Sequence, residues 1–178
     1  ESKRRADGVT DSSIRRDLSC LSSIFNCAEE WEYHTGNPAA AFMRAGKRRG
    51  LKEAPPRTRY LSHEEETQIF DTLCRKLRDA KGNRDRHGYQ MLIAAVSMAI
   101  DTGLRVEEQL ALTWNEISME RWEVGVPDER AKGGIGRLVP IQPRTRALLE
   151  ALPRHRDSNH VFWHRAGQRY THLYQQLI

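Results

Sequence analysis

Residues 102–114 read TGLRVEEQLALTW, and they follow the longest apolar run in the chain, MLIAAVSMAI at residues 91–100. That run is about half the roughly 18 residues needed to span a bilayer, so it predicts a buried core helix and no membrane attachment. Gly103 suits the cap of this helix, because a left-handed closing residue carries no steric penalty in glycine. A further helix over about 106–114 would follow, with Leu110 and Leu112 facing inward. Arg105 stands at the junction, with Glu107 and Glu108 behind it. A guanidinium is a planar fork that can grip two phosphate oxygens. At a helix junction the fork projects from a rigid support, and a nearby carboxylate can fix its orientation. An ordinary surface arginine would show the same spacing.

Composition bounds the partners. The chain has 178 residues, 38% of them hydrophobic, enough for a packed core. A net charge of +5 and a pI near 9.3 suggest a polyanionic partner. Cys20, Cys27 and Cys74 are odd in number and lack CxxC spacing. They argue for a reducing cytoplasm and against disulfides or zinc. No signal-peptide pattern opens the sequence. A start at Glu1 reads as a fragment or a processed chain.

Upstream, Ile14, Leu18, Leu21, Phe25, Ala28 and Trp31 recur at helical steps. Thr10, Asp11 or Ser12 can cap this helix and Gly36 can end it. One apolar stripe cannot bury itself, so the helix is expected to belong to a small helical domain whose earlier part is missing. Residues 37–60 then read as a connection broken by Pro38, Gly46, Gly50, Pro55 and Pro56. Arg44, Lys47, Arg48, Arg49, Lys52, Arg57 and Arg59 face a single acid there, Glu53. This is either a solvated linker or a strap along a phosphate backbone.

A second unit starts at Leu61. Ser62 and Glu65 form an S-x-x-E capping box, and Ile69, Phe70, Leu73 and Leu77 make the helical face behind it. The apolar helix from about His87 should be central. Past Trp114 the period changes to two at Trp122, Val124 and Val126, and again at Arg137, Val139 and Ile141. Gly133 and Gly134 permit a tight turn between two such strands. Pro140 places the return strand at an edge or a bulge. A helix with Leu148, Leu149 and Leu152 follows. Lys132, just before the glycine pair, can reach into a groove and donate a proton, or simply solubilise the turn. Arg137 can support a phosphate or merely cover the hairpin.

Together, TGLRVEEQLALTW and AKGGIGRLVPI resemble the tyrosine recombinase family, which includes phage integrases. The matching features are T-G-L-R, an acid three residues on, L-x-W, a hairpin lysine, and R-x-V-P before an apolar residue. Upstream, RDLSCLSSIFNCAEEWEYHTGNPA resembles the last helix of the family's core-binding domain and its N-P exit. The resemblance covers nearly the whole chain in order.

It implies a mostly α fold with a small antiparallel β-sheet. Residues 1–45 would end a helical core-binding domain, 46–60 would be a basic linker, and 61–178 would be a truncated catalytic domain. Arg105 matches the first catalytic arginine, which stabilises the scissile phosphate. Glu108 matches the acid supporting that site, while Glu107 occupies a position often held by a small residue. Lys132 matches the lysine that protonates the departing 5′ hydroxyl. Arg137 and the basic residues of 44–59 would contact double-stranded DNA. The family needs neither metal nor ATP and acts as a tetramer on paired sites. It forms a 3′-phosphotyrosyl link while integrating or excising mobile elements, here in a bacterial cytoplasm. Its H-x-x-R box and nucleophilic tyrosine are not found up to Ile178. His172 has Gln175 at the fourth position, and Tyr170 and Tyr174 read as packing residues on a linking helix. The segment alone would therefore lack full activity.

Other readings are weaker in the residues. His155, His160, His164 and His172 lack zinc-site spacing. Asp128, Glu129 and Lys132 lack the D…E-x-K order of a metal-dependent nuclease. A non-catalytic DNA-binding or regulatory protein built on a recombinase fragment, or a plain interaction module, stays open. Steep salt dependence of DNA binding would separate these two.

Overall fold

The computed structural model describes residues 2–49, 55–56, 58–164 and 167–174. Its contacts divide the chain into two units, Glu1–Tyr60 and Leu61–Ile178.

In the first unit a short helix α1 (Ser2–Ala6) precedes α2 (Asp11–Glu30) and α3 (Pro38–Arg49). Thr10 caps α2, its hydroxyl accepting from the Ser13 N–H. The helix stops before Gly36. Glu32 takes the left-handed conformation instead (φ +58°), and the Tyr33 N–H closes on the Ala28 carbonyl at 2.8 Å. Of the expected stripe, Ile14 is buried and Leu18, Phe25 and Ala28 half-buried, while Leu21 and Trp31 stay exposed.

Helix α3 corrects the reading of residues 37–60 as an interrupted connection. Asn37 accepts from the Ala40 N–H at 2.8 Å, and Pro38 sits where a helix needs no donor. Three alanines follow, and the interior Gly46 costs only about 1 kcal/mol. The Asn37 amide also donates to the Ser22 carbonyl (2.9 Å) and to Asn26 Oδ1 (2.6 Å), tying the start of α3 to α2. Arg44, Lys47, Arg48 and Arg49 therefore stand on a helix, not in a linker opening at residue 46. Arg44 and Arg59 are exposed. Lys52 and Arg57 lie outside the described residues.

The second unit is built around α5 (Asn83–Thr102), which packs against α4 (His63–Asp79) and α7 (Pro143–Glu150). The Ser62–Glu65 box opens α4 with both reciprocal bonds made, at 3.1 and 3.2 Å. Helix α5 begins before His87 and is apolar enough to bury Met91, Leu92, Ala94, Ala95 and Met98 completely. Gly103 closes it at φ +62°, its N–H bonded to the Ala99 carbonyl. Helix α6 (Val106–Leu110) is shorter than the 106–114 expected. Thr113 turns extended and bridges to His160, while the flanking Leu112 carbonyl and Trp114 N–H bond to residues 161 and 159. Long-range pairing thus overrides the helical pattern, and only one 3-10 turn follows, at Trp114–Glu116.

Strands β1 (Ile117–Ser118), β2 (Glu123–Val126) and β3 (Arg137–Pro140) form an antiparallel sheet in that order, with Val124 opposite Val139 and Val126 opposite Arg137. Pro140 lies on the edge strand, where its missing N–H breaks no ladder. A tight turn does close at the glycines, the Gly134 N–H bonding to the Ala131 carbonyl at 2.9 Å, but no strand directly precedes it. Residues 127–136 make a longer loop, because the Arg130 and Ala131 N–H groups turn back onto the Pro127 carbonyl and the Arg130 side chain reaches the Ala111 carbonyl, so 129–132 pair with no strand. Two short strands, β4 (Trp163–His164) and β5 (Gln168–Arg169), form a separate pair. Tyr170 lies just past β5 and Tyr174 against the core, not on a common linking helix.

Two polar bolts cross this core. Gln109, fully buried, donates from Nε2 to the Ala95 carbonyl (2.6 Å) and accepts from the Tyr174 hydroxyl (2.7 Å), locking α6 to α5. Asp101 of α5 takes Thr145 Oγ1 and Arg144 of α7, and Arg144 also pairs with Glu66 of α4. Replacing Gln109 with alanine should cost about 3 kcal/mol, from the cavity and the two lost carboxamide hydrogen bonds together, the Tyr174 hydroxyl keeping the Ala95 carbonyl at 3.1 Å. Thermal or urea unfolding measures this, and a loss below about 1 kcal/mol would show that the carboxamide holds little.

Candidate active site

Arg105 owes its place to the way α5 ends. The Thr102 hydroxyl donates to the Met98 carbonyl and accepts from the Leu104 N–H, and the Leu104 side chain is buried. The chain then turns extended at Arg105 (φ −66°, ψ 149°), the cap residue of α6. Glu108 stands three positions on and returns its carboxylate to the Arg105 N–H at 2.9 Å. Only this half of a capping box can form, because a guanidinium accepts no hydrogen bond.

The same carboxylate carries two guanidiniums. Arg105 Nη1 donates to Oε1 at 3.0 Å. Arg137, reaching from β3, donates Nη2 to Oε2 at 2.7 Å and Nη1 to Oε1 at 3.2 Å. Glu108 is 2% exposed at its side chain, Arg105 54% and Arg137 36%. The acid is therefore sealed behind the two cations, and Arg105 turns outward. Hydrogen bonding from Arg137, opposed by burial and reinforced by both donors of Arg105, holds the Glu108 carboxyl at about 2, below its ordinary 4.5. Arg137 is held fully charged by the same contact. Glu107 does not share the site; it is exposed and lies 3.8 Å from Arg169.

The loop of residues 127–136 is anchored at its base and open at its tip. Arg130 donates to the Ala111 carbonyl at 2.9 Å and pairs with Glu116. Asp128 accepts from the Gly136 N–H, and Ala131 is buried with its N–H on the Pro127 and Asp128 carbonyls. A Cβ on Gly136 would sit 2.6 Å from the Val126 carbonyl oxygen, so no larger residue closes the loop this way. Lys132 follows Ala131 directly and is exposed, with no ion-pair partner among the described residues. Gly134 bends the tip with φ +67°.

The structure thus joins Arg105, Glu108 and Arg137 directly and sets Lys132 on the loop that Arg137 ends. Arg44, Lys47, Arg48, Arg49 and Arg59 belong to the other unit. The grip of Arg137 on Glu108 was not readable, since 29 positions separate them. The bracing by Gln109 and Arg130 left no motif either. Tyr174 has its hydroxyl on Gln109, and burial pushes its pKa up to about 12. It is a core residue.

Glu108 predicts a specific acid response. Its folded pKa lies below the unfolded value, so its stabilisation is complete above about pH 4.5 and disappears as pH falls toward about 2. Glu108→Gln should flatten the acid limb of a stability–pH curve over that interval. An unchanged limb would mean the carboxylate is not held as described.

Similarity to known proteins follows the same residues. The model of the phage integrase family matches residues 59–176. The shufflon-specific DNA recombinase of Escherichia coli is 29% identical over 151 residues, 84% of this chain and 34% of that protein. A putative integrase/recombinase of Haemophilus influenzae is 30% identical over 152 residues, 84% of this chain and 38% of that protein. The integrase of Escherichia phage P2 is 44% identical over 70 residues, 39% of this chain and 19% of that protein. The chain thus spans well under half the length of these curated relatives. Among solved structures, the Tn1549 transposon integrase bound to transposon right end DNA superposes with a TM-score of 0.69 at 17% identity, over 95% of this chain and 56% of that one. The lambda integrase tetramer bound to a Holliday junction gives 0.64 at 18%, over 96% and 46%. The fold is that of the tyrosine recombinases, and by the family match over residues 59–176 the chain belongs to the phage integrase family.

Proposed function

We propose that these residues are part of a site-specific recombinase that cuts and rejoins double-stranded DNA to integrate or excise a mobile element. The observation that carries this reading is the outward-facing Arg105, aligned by a buried Glu108 that it shares with Arg137. A guanidinium so fixed needs no reorganisation to meet charge developing on a phosphate. In the proposed reaction a tyrosine outside residues 1–178 attacks the scissile phosphorus. The tyrosine loses its phenolic proton to a base or to water as its oxygen forms the new P–O bond, and the bond to the 5′ oxygen breaks. Arg105 stabilises the phosphorane-like state. Lys132, on its open loop tip, gives a proton to the departing 5′ oxygen. The 3′-phosphotyrosyl link keeps the bond energy, and attack by a 5′ hydroxyl reverses the step. No metal or nucleotide enters this scheme. Arg44, Lys47, Arg48, Arg49, Lys52, Arg57 and Arg59 are proposed as backbone contacts, and the working assembly as a tetramer on paired sites.

Two substitutions in the longer protein test the roles. Arg105→Ala should reduce strand cleavage by at least about a hundredfold, the scale of one lost electrostatic donor, while the fold persists. Cleavage that survives would remove Arg105 from the site. Lys132→Ala should slow cleavage of ordinary DNA by about a hundredfold and be partly rescued by a substrate with a better 5′ leaving group. Absence of rescue would end the proton-donor role.

A further inference from the structure

The clamp holds two arginines that make different use of the same acid. Arg137 commits both terminal nitrogens to Glu108, while Arg105 commits only Nη1. Nε and Nη2 of Arg105 have no partner among the described residues, and its side chain is 54% exposed. Two guanidiniums and one carboxylate leave one net positive charge, and the geometry leaves it on Arg105. Without Arg137, Glu108 would pair with Arg105 alone, and the pair would be electrically neutral.

Resting on the phosphate-binding reading above, we propose that Arg137 is a positioning residue that does not touch DNA. It neutralises Glu108, so that Arg105 keeps a full charge for the phosphate. It also ties β3, and with it the end of the loop bearing Lys132, to the N-terminal cap of α6. Sequence reasoning had placed Arg137 among the DNA contacts; this geometry gives it a different task. The end-on Nη1–Nη2 edge of Arg137 is occupied by Glu108, and its side chain is less exposed than that of Arg105, 36% against 54%, so only its side-on edge is left to turn toward a phosphate.

The experiment is a double-mutant cycle on the 178-residue chain. Binding to a short mixed-sequence DNA duplex is followed by fluorescence anisotropy over a series of salt concentrations. A thermal melt of each variant confirms folding at the assay temperature. In the parent background, Arg137→Ala should weaken binding by about tenfold, the scale of one lost charge-assisted contact. The slope of log affinity against log salt should fall by about one. In the Glu108→Gln background, Arg105 no longer needs Arg137, so the same change should act by less than about twofold. Arg137→Gln, neutral but still able to hydrogen-bond to Glu108, replaces Arg137→Ala should the latter not fold. Equal losses in both backgrounds would overturn the proposal, because Arg137 would then contact DNA itself. No loss in the parent background would overturn it as well. Failure of the underlying reading looks different: either the parent chain does not bind the duplex, or Arg105→Ala binds it with unchanged affinity and salt slope.

Discussion

A carboxylate almost wholly removed from water organises this unit. An ionised acid in such a place is costly unless its partners are close and well aligned. Glu108 meets that demand with four donors: the Arg105 N–H, one nitrogen of Arg105, and two of Arg137. Removing one member of a buried ion pair of this kind typically costs about 3–5 kcal/mol, mostly through the charge left behind. The three residues are therefore interdependent. The acid needs both cations to be buried, and Arg105 needs the acid to be aimed. The arrangement couples a helix cap, a sheet edge and a loop through one functional group.

That coupling is useful only if its frame is stiff. Arg105 follows α5 by three residues, so the rigidity of α5 is passed to it through the Gly103 cap and the buried Leu104. Gln109 fixes the next turn from inside by bonding the Ala95 carbonyl of α5. On the flank, Asp101 binds Arg144 and Thr145. Burial raises its pKa, but these hydrogen bonds outweigh that and hold it ionised below the usual range. Thr145 in turn contacts Ser97 Oγ at 2.6 Å, so α4, α5 and α7 share one polar network beside the site. Packing alone would leave the helices free to slide by small amounts. Directional bonds between buried groups remove that freedom.

Local chemistry was legible where a rule is local. The Ser62–Glu65 box, the Gly103 cap, the edge position of Pro140 and the relation of Arg105 to Glu108 all depend on residues within a few positions of each other. The all-round apolarity of residues 91–100 placed α5 at the centre for the same reason. What failed did so through distant partners. Asn37 starts α3 because Ser22 and Asn26 of α2 receive its amide, and so prolines and glycines that look like interruptions flank a helix. Thr113 leaves the helical pattern because residues 159–161 offer it a strand-like partner. The glycine pair at 133–134 signalled a tight turn, which forms, but Arg130 ties the preceding residues to the Ala111 carbonyl and Asp128 bonds across to Gly136, so the turn caps a loop and not a hairpin. The bond from Arg137 to Glu108 was equally hidden, because nothing within its own strand reveals an acid 29 positions away.

In the proposed reaction the loop and the clamp would divide two chemical tasks that conflict if given to one residue. Stabilising a charge that develops on a fixed phosphorus centre favours a donor that does not move. Delivering a proton to an oxygen that is leaving favours a donor that can follow it. Arg105 is immobilised by Glu108 on one side and left open on the other, which suits the first task. Lys132 stands one residue beyond the buried Ala131, inside the turn that the Gly134 N–H closes on the Ala131 carbonyl, with its side chain exposed. The lever is short, because Asp128 bonds to Gly136 across its base and Arg130 ties it to the Ala111 carbonyl. Since β3 begins where the loop ends, the Arg137–Glu108 bond sets the point from which that lever swings. Under the proposed roles, one ion-pair cluster would fix the electrostatic donor and the pivot of the proton donor at once.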